Sequence, residues 1–223
     1  LHVTAHQIFA GLLLDIPDDK MRMDLQPDDD RDATRICVAM ADHPGVFSRF
    51  CGALALSGAN VVDARTFTSK DGYATAVFWV QDADGHPYED TRLGRLEKMI
   101  NDTLQGTVVA REEIQSRDKI KKRERAFRVP TSISFDNEGS EIYTIIEVDT
   151  RDRLGLLYDL TRTLTSANVN IFSAVIATYG EQVVDTFYVK DVFGLKYHSK
   201  TKRDMLEQKL RDALKQGTLM AIS

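Results

Sequence analysis

The sequence has no run of about 18 apolar residues, so it offers no helix able to cross a bilayer. Cysteine is scarce: Cys37 and Cys51 stand alone, each inside an apolar run. That excludes a disulfide framework, and both read as small buried hydrophobes of a reducing cytoplasm. There is no surplus of positive charge. Against 29 Lys and Arg stand 34 Asp and Glu, a formal net charge of −5 at pH 7, which argues against a general nucleic-acid binder. The first residue is Leu1, not Met, and no charged-then-apolar signal segment opens the chain; a fragment of a longer protein is the expectation. What is present suffices for packing. The 223 residues are 43% hydrophobic, enough for two ordinary domains or one large one.

The chain repeats itself. Asp42-His43-Pro44-Gly45-Val46-Phe47 recurs as Asp152-Arg153-Leu154-Gly155-Leu156-Leu157, an offset of 155 − 45 = 110. The same offset carries Leu54 to Leu164, Asn60 to Asn170, Ala64 to Ala174 and Thr68 to Thr178. It drops to 109 for Phe78 and Phe187, Asp82 and Asp191, and Gly85 and Gly194, then returns to 110 for Leu96 and Leu206. Changes confined to turns and loops are what a duplicated domain shows, because loops absorb insertions.

Each copy spells one order of elements. Residues 35–41 and 143–150 are short and β-rich. Phe47, Phe50 and Leu54, and again Leu157, Leu160 and Leu164, give the helical stripe that follows. Two strands then pair across an Asp-Gly or Gly-polar turn, residues 61–68 with 73–81 and 171–178 with 182–190. A second helix carries Leu93, Leu96, Ile100 and Leu104, or Leu206, Leu210 and Leu214, and stops near Gly106 or Gly217. A β-rich tail, 107–110 or 218–222, closes each copy. The order is βαββαβ, the ferredoxin-like split motif, and the class is α+β. The domains expected are an N-terminal extension (1–32), a first module (33–110), a charged, helical linker (111–130) and a second module (131–223). The extension carries Leu12-Leu13-Leu14-Asp15-Ile16, a candidate strand, and the acidic turn Asp28-Asp29-Asp30. Residues 132–135 read as one more strand leading into the second copy.

The sharpest signal is Asp-x-x-Gly at the first strand-to-helix turn, with an Asn fifteen residues after the Gly, in both copies. The chemistry suits an amino-acid ligand. Gly45 and Gly155 allow a close backbone approach. The helix starting at Val46 or Leu156 presents free N–H groups and a positive dipole end to a carboxylate. Asp42 or Asp152 can accept from an ammonium, and Asn60 or Asn170 offers both a donor and an acceptor. His43 sits in the same loop. An aspartate before a helix also serves simply as an N-cap, and duplication preserves caps as well as sites.

These strings, with Ser57-Gly58-Ala59-Asn60-Val61-Val62-Asp63-Ala64 and Asn168-Val169-Asn170-Ile171, resemble ACT domains. The hairpins Thr66-Phe67-Thr68-Ser69-Lys70-Asp71-Gly72-Tyr73-Ala74 and Thr178-Tyr179-Gly180-Glu181-Gln182-Val183-Val184-Asp185-Thr186-Phe187-Tyr188-Val189 narrow the match. They resemble the C-terminal ACT pair of the bacterial bifunctional PII uridylyltransferase/uridylyl-removing enzymes, over roughly residues 32–220. The resemblance implies a glutamine sensor that controls uridylylation and deuridylylation of the PII nitrogen-signalling protein. It implies L-glutamine as ligand, ACT–ACT pairing within the chain or in a homodimer, and a Mg-type divalent metal used only by catalytic domains elsewhere in the enzyme. No cofactor, catalytic residue or metal site is expected in this segment. It has no Gly-Ser followed by paired aspartates and no His-Asp pair. Leu154 departs from the usual proline, which costs rigidity but not binding groups.

The alternatives are a free-standing ACT binding or dimerisation protein and, in a third class, an RNA-binding module of the same fold. The latter needs exposed strand aromatics beside a Lys/Arg-Gly-Phe run. Trp79 with Tyr73 and Phe187 with Tyr188 are the candidates, and the run is absent. His2 and His6, spaced i, i+4, lack further ligands for a metal; His86 and His198 offer no partner. The basic stretch 119–128 reads as a solvated face of the linker helix.

Overall fold

Residues 144–151 and 182–191 alternate between buried and more exposed positions and so build one packed face, whereas residues 33–41 and 73–81 are buried nearly throughout. The computed structural model describes residues 3–14, 16, 21–42, 45–68, 71–105 and 130–220. In chain order the elements are α1 (Val3–Leu13), β1 (Arg22–Asp28), a 3-10 turn (Asp29–Arg31), β2 (Ala33–Ala41), α2 (Val46–Ser57), β3 (Asn60–Thr68), β4 (Tyr73–Gln81) and α3 (Asp90–Leu104). The second half supplies β5 (Ser132–Asp136), β6 (Thr144–Arg151), α4 (Leu156–Ser166), β7 (Val169–Tyr179), β8 (Gln182–Asp191) and α5 (Lys200–Met220). Two four-stranded antiparallel sheets result, with orders β1-β2-β4-β3 and β5-β6-β8-β7. The expected pair of ferredoxin-like α+β modules is therefore present.

The edge strand of each sheet precedes its module rather than closing it, and the strand expected at 132–135 is the one that does so in the second. The place beside β2 is filled by β1, drawn from the N-terminal extension, and the place beside β6 by β5. Each module thus runs ββαββα. With that edge occupied, the C-terminal tail has no strand to pair with, and α5 continues through Gly217 to Met220 rather than giving way to a strand at 218. The tail at 107–110 and the linker at 111–129 lie outside the described residues. Leu12 and Leu13 end α1 rather than starting a strand, and Asp28 closes β1.

Duplication extends to single hydrogen bonds. Tyr88 N–H donates to Thr34 Oγ1 and Tyr197 N–H to Thr144 Oγ1, both at 2.8 Å. Asp82 and Asp191 each close a loop by accepting two backbone N–H groups. The third strand of each module shifts register at the same place, between Val61 and Asp63 and between Ile171 and Ser173. Such bulges bend an edge strand locally.

The modules lie side by side. Strands β3 and β7 face each other, α2 packs against α4, and Thr178 Oγ1 donates across the seam to the Val61 carbonyl at 3.3 Å. Helix α2 is apolar nearly all round, as befits a helix enclosed by its own sheet and by α4. Phe50, Leu54, Phe78, Leu160, Leu164 and Phe187 join one continuous core. Helix α1 covers the far face of the first sheet through Phe9, against Cys37, Val77 and Trp79. Trp79 is thereby buried, donates to Asp28 Oδ2 at 2.8 Å and carries Arg31 over its ring, so it presents no open stacking platform. Among the described residues no helix is long and apolar enough to cross a membrane.

Candidate functional site

The strand-to-helix turns are built alike. The N–H of Asp42 donates to the Gly72 carbonyl and that of Asp152 to the Glu181 carbonyl, both at 2.8 Å, so each loop is pinned to its neighbouring hairpin. Gly45 (φ 83°, ψ 1°) and Gly155 (φ 77°, ψ 3°) then take the left-handed conformation that disfavours any Cβ. These glycines, not the aspartates, hold the N-cap positions of α2 and α4. The capping role that spacing left open for Asp42 and Asp152 is thus filled by other residues.

The loop of the second module faces the first. Asp152, Gly155 and Leu156 share a cavity of about 230 Å³ with Asn60 and Val61, the opening residues of β3. Helix α2 contributes Cys51 and Ala55 to its wall, and β7 and β8 contribute Ile176, Thr178, Val183 and Asp185. Gly58 makes this possible. At φ 75° it ends α2 with N–H bonds from Gly58 to Ala55 and from Ala59 to Leu54, turning the chain so that Asn60 enters β3 at the cavity. Arg153 also lines the cavity. Its guanidinium pairs with Asp159 at 2.6 Å and reaches the Leu154 carbonyl at 3.3 Å, tying the loop to the first turn of α4.

The cavity is rich in carboxyl groups. Burial raises the Asp152 carboxyl, against a lowering by the Arg153 N–H and charge. Asp185 is pushed well above its ordinary value by burial first and by the Asp152 charge second. Burial pushes the Cys51 thiol up as well, so it is no nucleophile here.

The structure thus gathers Asn60, Asp152, Gly155 and Leu156 from two modules into one place. The remaining candidates sit elsewhere. Asp42 is exposed, Val46 is buried in the core, and Asn170 is exposed with Nδ2 3.4 Å from the Asp191 carbonyl. Gly45 lies against the end of α4, where an added Cβ would come 3.3 Å from Thr165 Cγ2. His43 lies outside the described residues. Sequence reasoning missed Asp185, Arg153 and Cys51. For Asp185 a signal existed: in the alternating row Val183, Asp185, Phe187, Val189 a charged residue stands between apolar ones on a core-facing face.

A duplicated ββαββα unit, with a left-handed glycine opening the first helix of each copy, defines a tandem pair of modules of one class. Family models agree. The ACT domain matches residues 34–92 and the ACR9-like, ACT-like domain matches residues 132–223. Between them they cover more than half of the chain, which belongs to the ACT-domain family as a tandem pair. It is 66% identical over 97% of its length to the bifunctional uridylyltransferase/uridylyl-removing enzyme of Ruegeria pomeroyi, covering 24% of that enzyme. Identity to the enzyme of the same name from Cereibacter sphaeroides is 67%, over 95% of this chain and 23% of the relative. For the Rhodospirillum rubrum enzyme it is 41%, over 87% and 21%. The chain therefore spans under a quarter of the length of these relatives.

Proposed function

We propose that this chain is a regulatory segment that binds L-glutamine at the seam between its two ACT modules. Its place would be within an enzyme that uridylylates and deuridylylates the PII protein. The observation that carries the reading is the meeting of Asn60 from one module with Asp152, Gly155 and Leu156 from the other around one cavity. A cavity of about 230 Å³ is below the roughly 300–1,000 Å³ of drug-sized sites and suits a small metabolite. The N-terminal turn of α4 favours a carboxylate. The two aspartates favour an ammonium. Asn60 supplies the donor and acceptor that a side-chain amide needs. A ligand held by both modules stabilises one relative arrangement of them and so shifts any equilibrium between arrangements.

The test is thermal unfolding of the 223-residue chain against a panel of amino acids, followed by uridylyl transfer to PII by the full-length enzyme. Glutamine should raise the melting temperature in a concentration-dependent way, by RT ln(1 + [L]/Kd) in free energy, and should inhibit transfer. A melting temperature indifferent to every amino acid would remove the reading.

A further inference from the structure

Asp185 stands where a core residue belongs. On β8 it lies between Val183 and Phe187 in the row that faces the helices, and its cross-strand neighbours are Val148 and Ile176. It is 1% exposed, and neither carboxylate oxygen has a hydrogen-bond partner among the described atoms. A buried, unpartnered carboxyl group is costly to keep, and such groups are rare in folded proteins. This one opens onto the cavity between the modules. Burial, with the Asp152 charge added, disfavours its ionised form while the cavity holds no cation.

The first module answers with an alanine. The cross-strand partners of Ala76 on β4 are Val38 and Thr66, which correspond one for one to Val148 and Ile176 around Asp185. The fold has no need of a carboxyl at this position, since Ala76 fills it quietly at 6% exposure. Gly45 and Gly155 share one left-handed backbone conformation, and the Asp42 and Asp152 N–H groups make matching bonds, so the difference between the modules at this position is one of chemistry.

We propose that Asp185 is the ammonium-binding residue of the inter-module cavity, and that the chain consequently takes up one amino-acid ligand, at the turn of the second module only. This deepens the amino-acid reading above and rests on it. A primary ammonium offers three donors. Two are matched by the Asp185 oxygens and one by Asp152, which lines the same cavity. The cation also relieves the repulsion between the two carboxylates. The loop N-terminal to α4 is left for the ligand's carboxylate. A metal ion fits less well: among the described residues no group of three or more His, Cys, Asp or Glu side chains is arranged to hold one.

The experiment is calorimetric titration of the 223-residue chain with L-glutamine and with its desamino analogue, 5-amino-5-oxopentanoate, repeated on Asp185→Asn. Asparagine is nearly isosteric and uncharged, so the fold is retained, and the melting temperature is recorded as a check. The expected result is one glutamine per chain, at least about tenfold weaker binding of the analogue by the wild type, and a comparable loss of glutamine affinity in the variant. The variant should no longer distinguish glutamine from its analogue. Two ligands per chain would overturn the assignment, as would wild-type affinity in Asp185→Asn or equal affinity of the wild type for both probes. In those cases the amino-acid reading still stands. Absence of binding to any amino acid removes that reading and this one together. The analogue arm requires no mutation, so a variant that failed to fold would still leave the assignment exposed to refutation.

Discussion

The two modules differ least in backbone and most in the side chains around their turns. Gly45 and Gly155 share φ near 80°, and both third strands bulge at the same place. Both aspartate N–H groups reach back to the neighbouring hairpin. Yet Asp152 is half-buried at a cavity while Asp42 is exposed, and Asp185 is matched by Ala76. The far faces differ too. The first sheet is roofed by α1, whereas on the second Tyr143 contacts both Phe172 and Tyr188, and Lys190 lies over the Tyr143 and Phe172 rings. The lesson is that duplication has kept what the chain needs to fold and has let the chemistry of the two turns part company.

The comparison breaks most readily at the carboxylates. Asp185→Asn and Asp152→Asn should each weaken glutamine binding by roughly 10- to 150-fold, the loss of a charge-assisted hydrogen bond of about 1.5–3 kcal/mol. Asp42→Asn should change it by less than about twofold, and titration calorimetry reads all three. Equal losses at Asp42 and Asp152 would mean that both turns bind.

Next come the glycines. Gly45→Ala and Gly155→Ala each force a side chain into left-handed backbone and should each cost about 1–2 kcal/mol, read by urea unfolding. Gly45→Ala carries the added contact with Thr165 and should be the worse for stability. Gly155→Ala should be the worse for binding.

A smaller effect is in pH. Asp185 has a folded-state pKa raised above the ordinary 3.8, so the native chain holds a proton that the unfolded chain releases. Its contribution to stability is intact below about pH 4 and is lost as pH rises through the folded-state value. The Asp82 and Asp136 carboxyls are lowered and act in the opposite sense, losing stability as pH falls. The informative quantity is therefore the difference between wild type and Asp185→Asn. The variant should gain stability relative to wild type as pH is raised from about 4 to 8, and a constant difference would contradict the assigned burial. Smallest of all, Thr178→Val removes the hydrogen bond to Val61 across the seam. It should lower stability by about 0.5–1.5 kcal/mol without altering either module's own sheet.

Much of this was legible in the amino-acid sequence because it is written locally and written twice. The runs that became β2 and β4 are β-rich and almost wholly apolar, those that became β6 and β8 alternate, and the Phe and Leu stripes that became α2 and α4 recur at one offset. The edge strand β1 was not legible. Its residues, Arg22-Met23-Asp24-Leu25-Gln26-Pro27-Asp28, are half-exposed and include a proline, because an edge strand packs little and need not donate at every position. A strand at 218–222 was expected where α5 continues, since nothing local announces that the edge is already taken. In the site, Asp152, Gly155 and Asn60 were legible as a motif. That Asn60 serves the other module's turn was not, because the pairing of α2 with α4 is a long-range contact. Asp185 could be seen only as a charge in an apolar row, and its meaning emerged when the register showed Ala76 at the equivalent place in the first module.

The most direct measurement is a crystal structure of the chain grown with L-glutamine. The account predicts a single ligand per chain, between Asn60 and the turn at Asp152–Leu156, with its α-nitrogen about 2.7–3.2 Å from an Asp185 carboxylate oxygen. Glutamine seated at the Asp42 turn, or seated in the cavity with Asp185 still unpartnered, would contradict it.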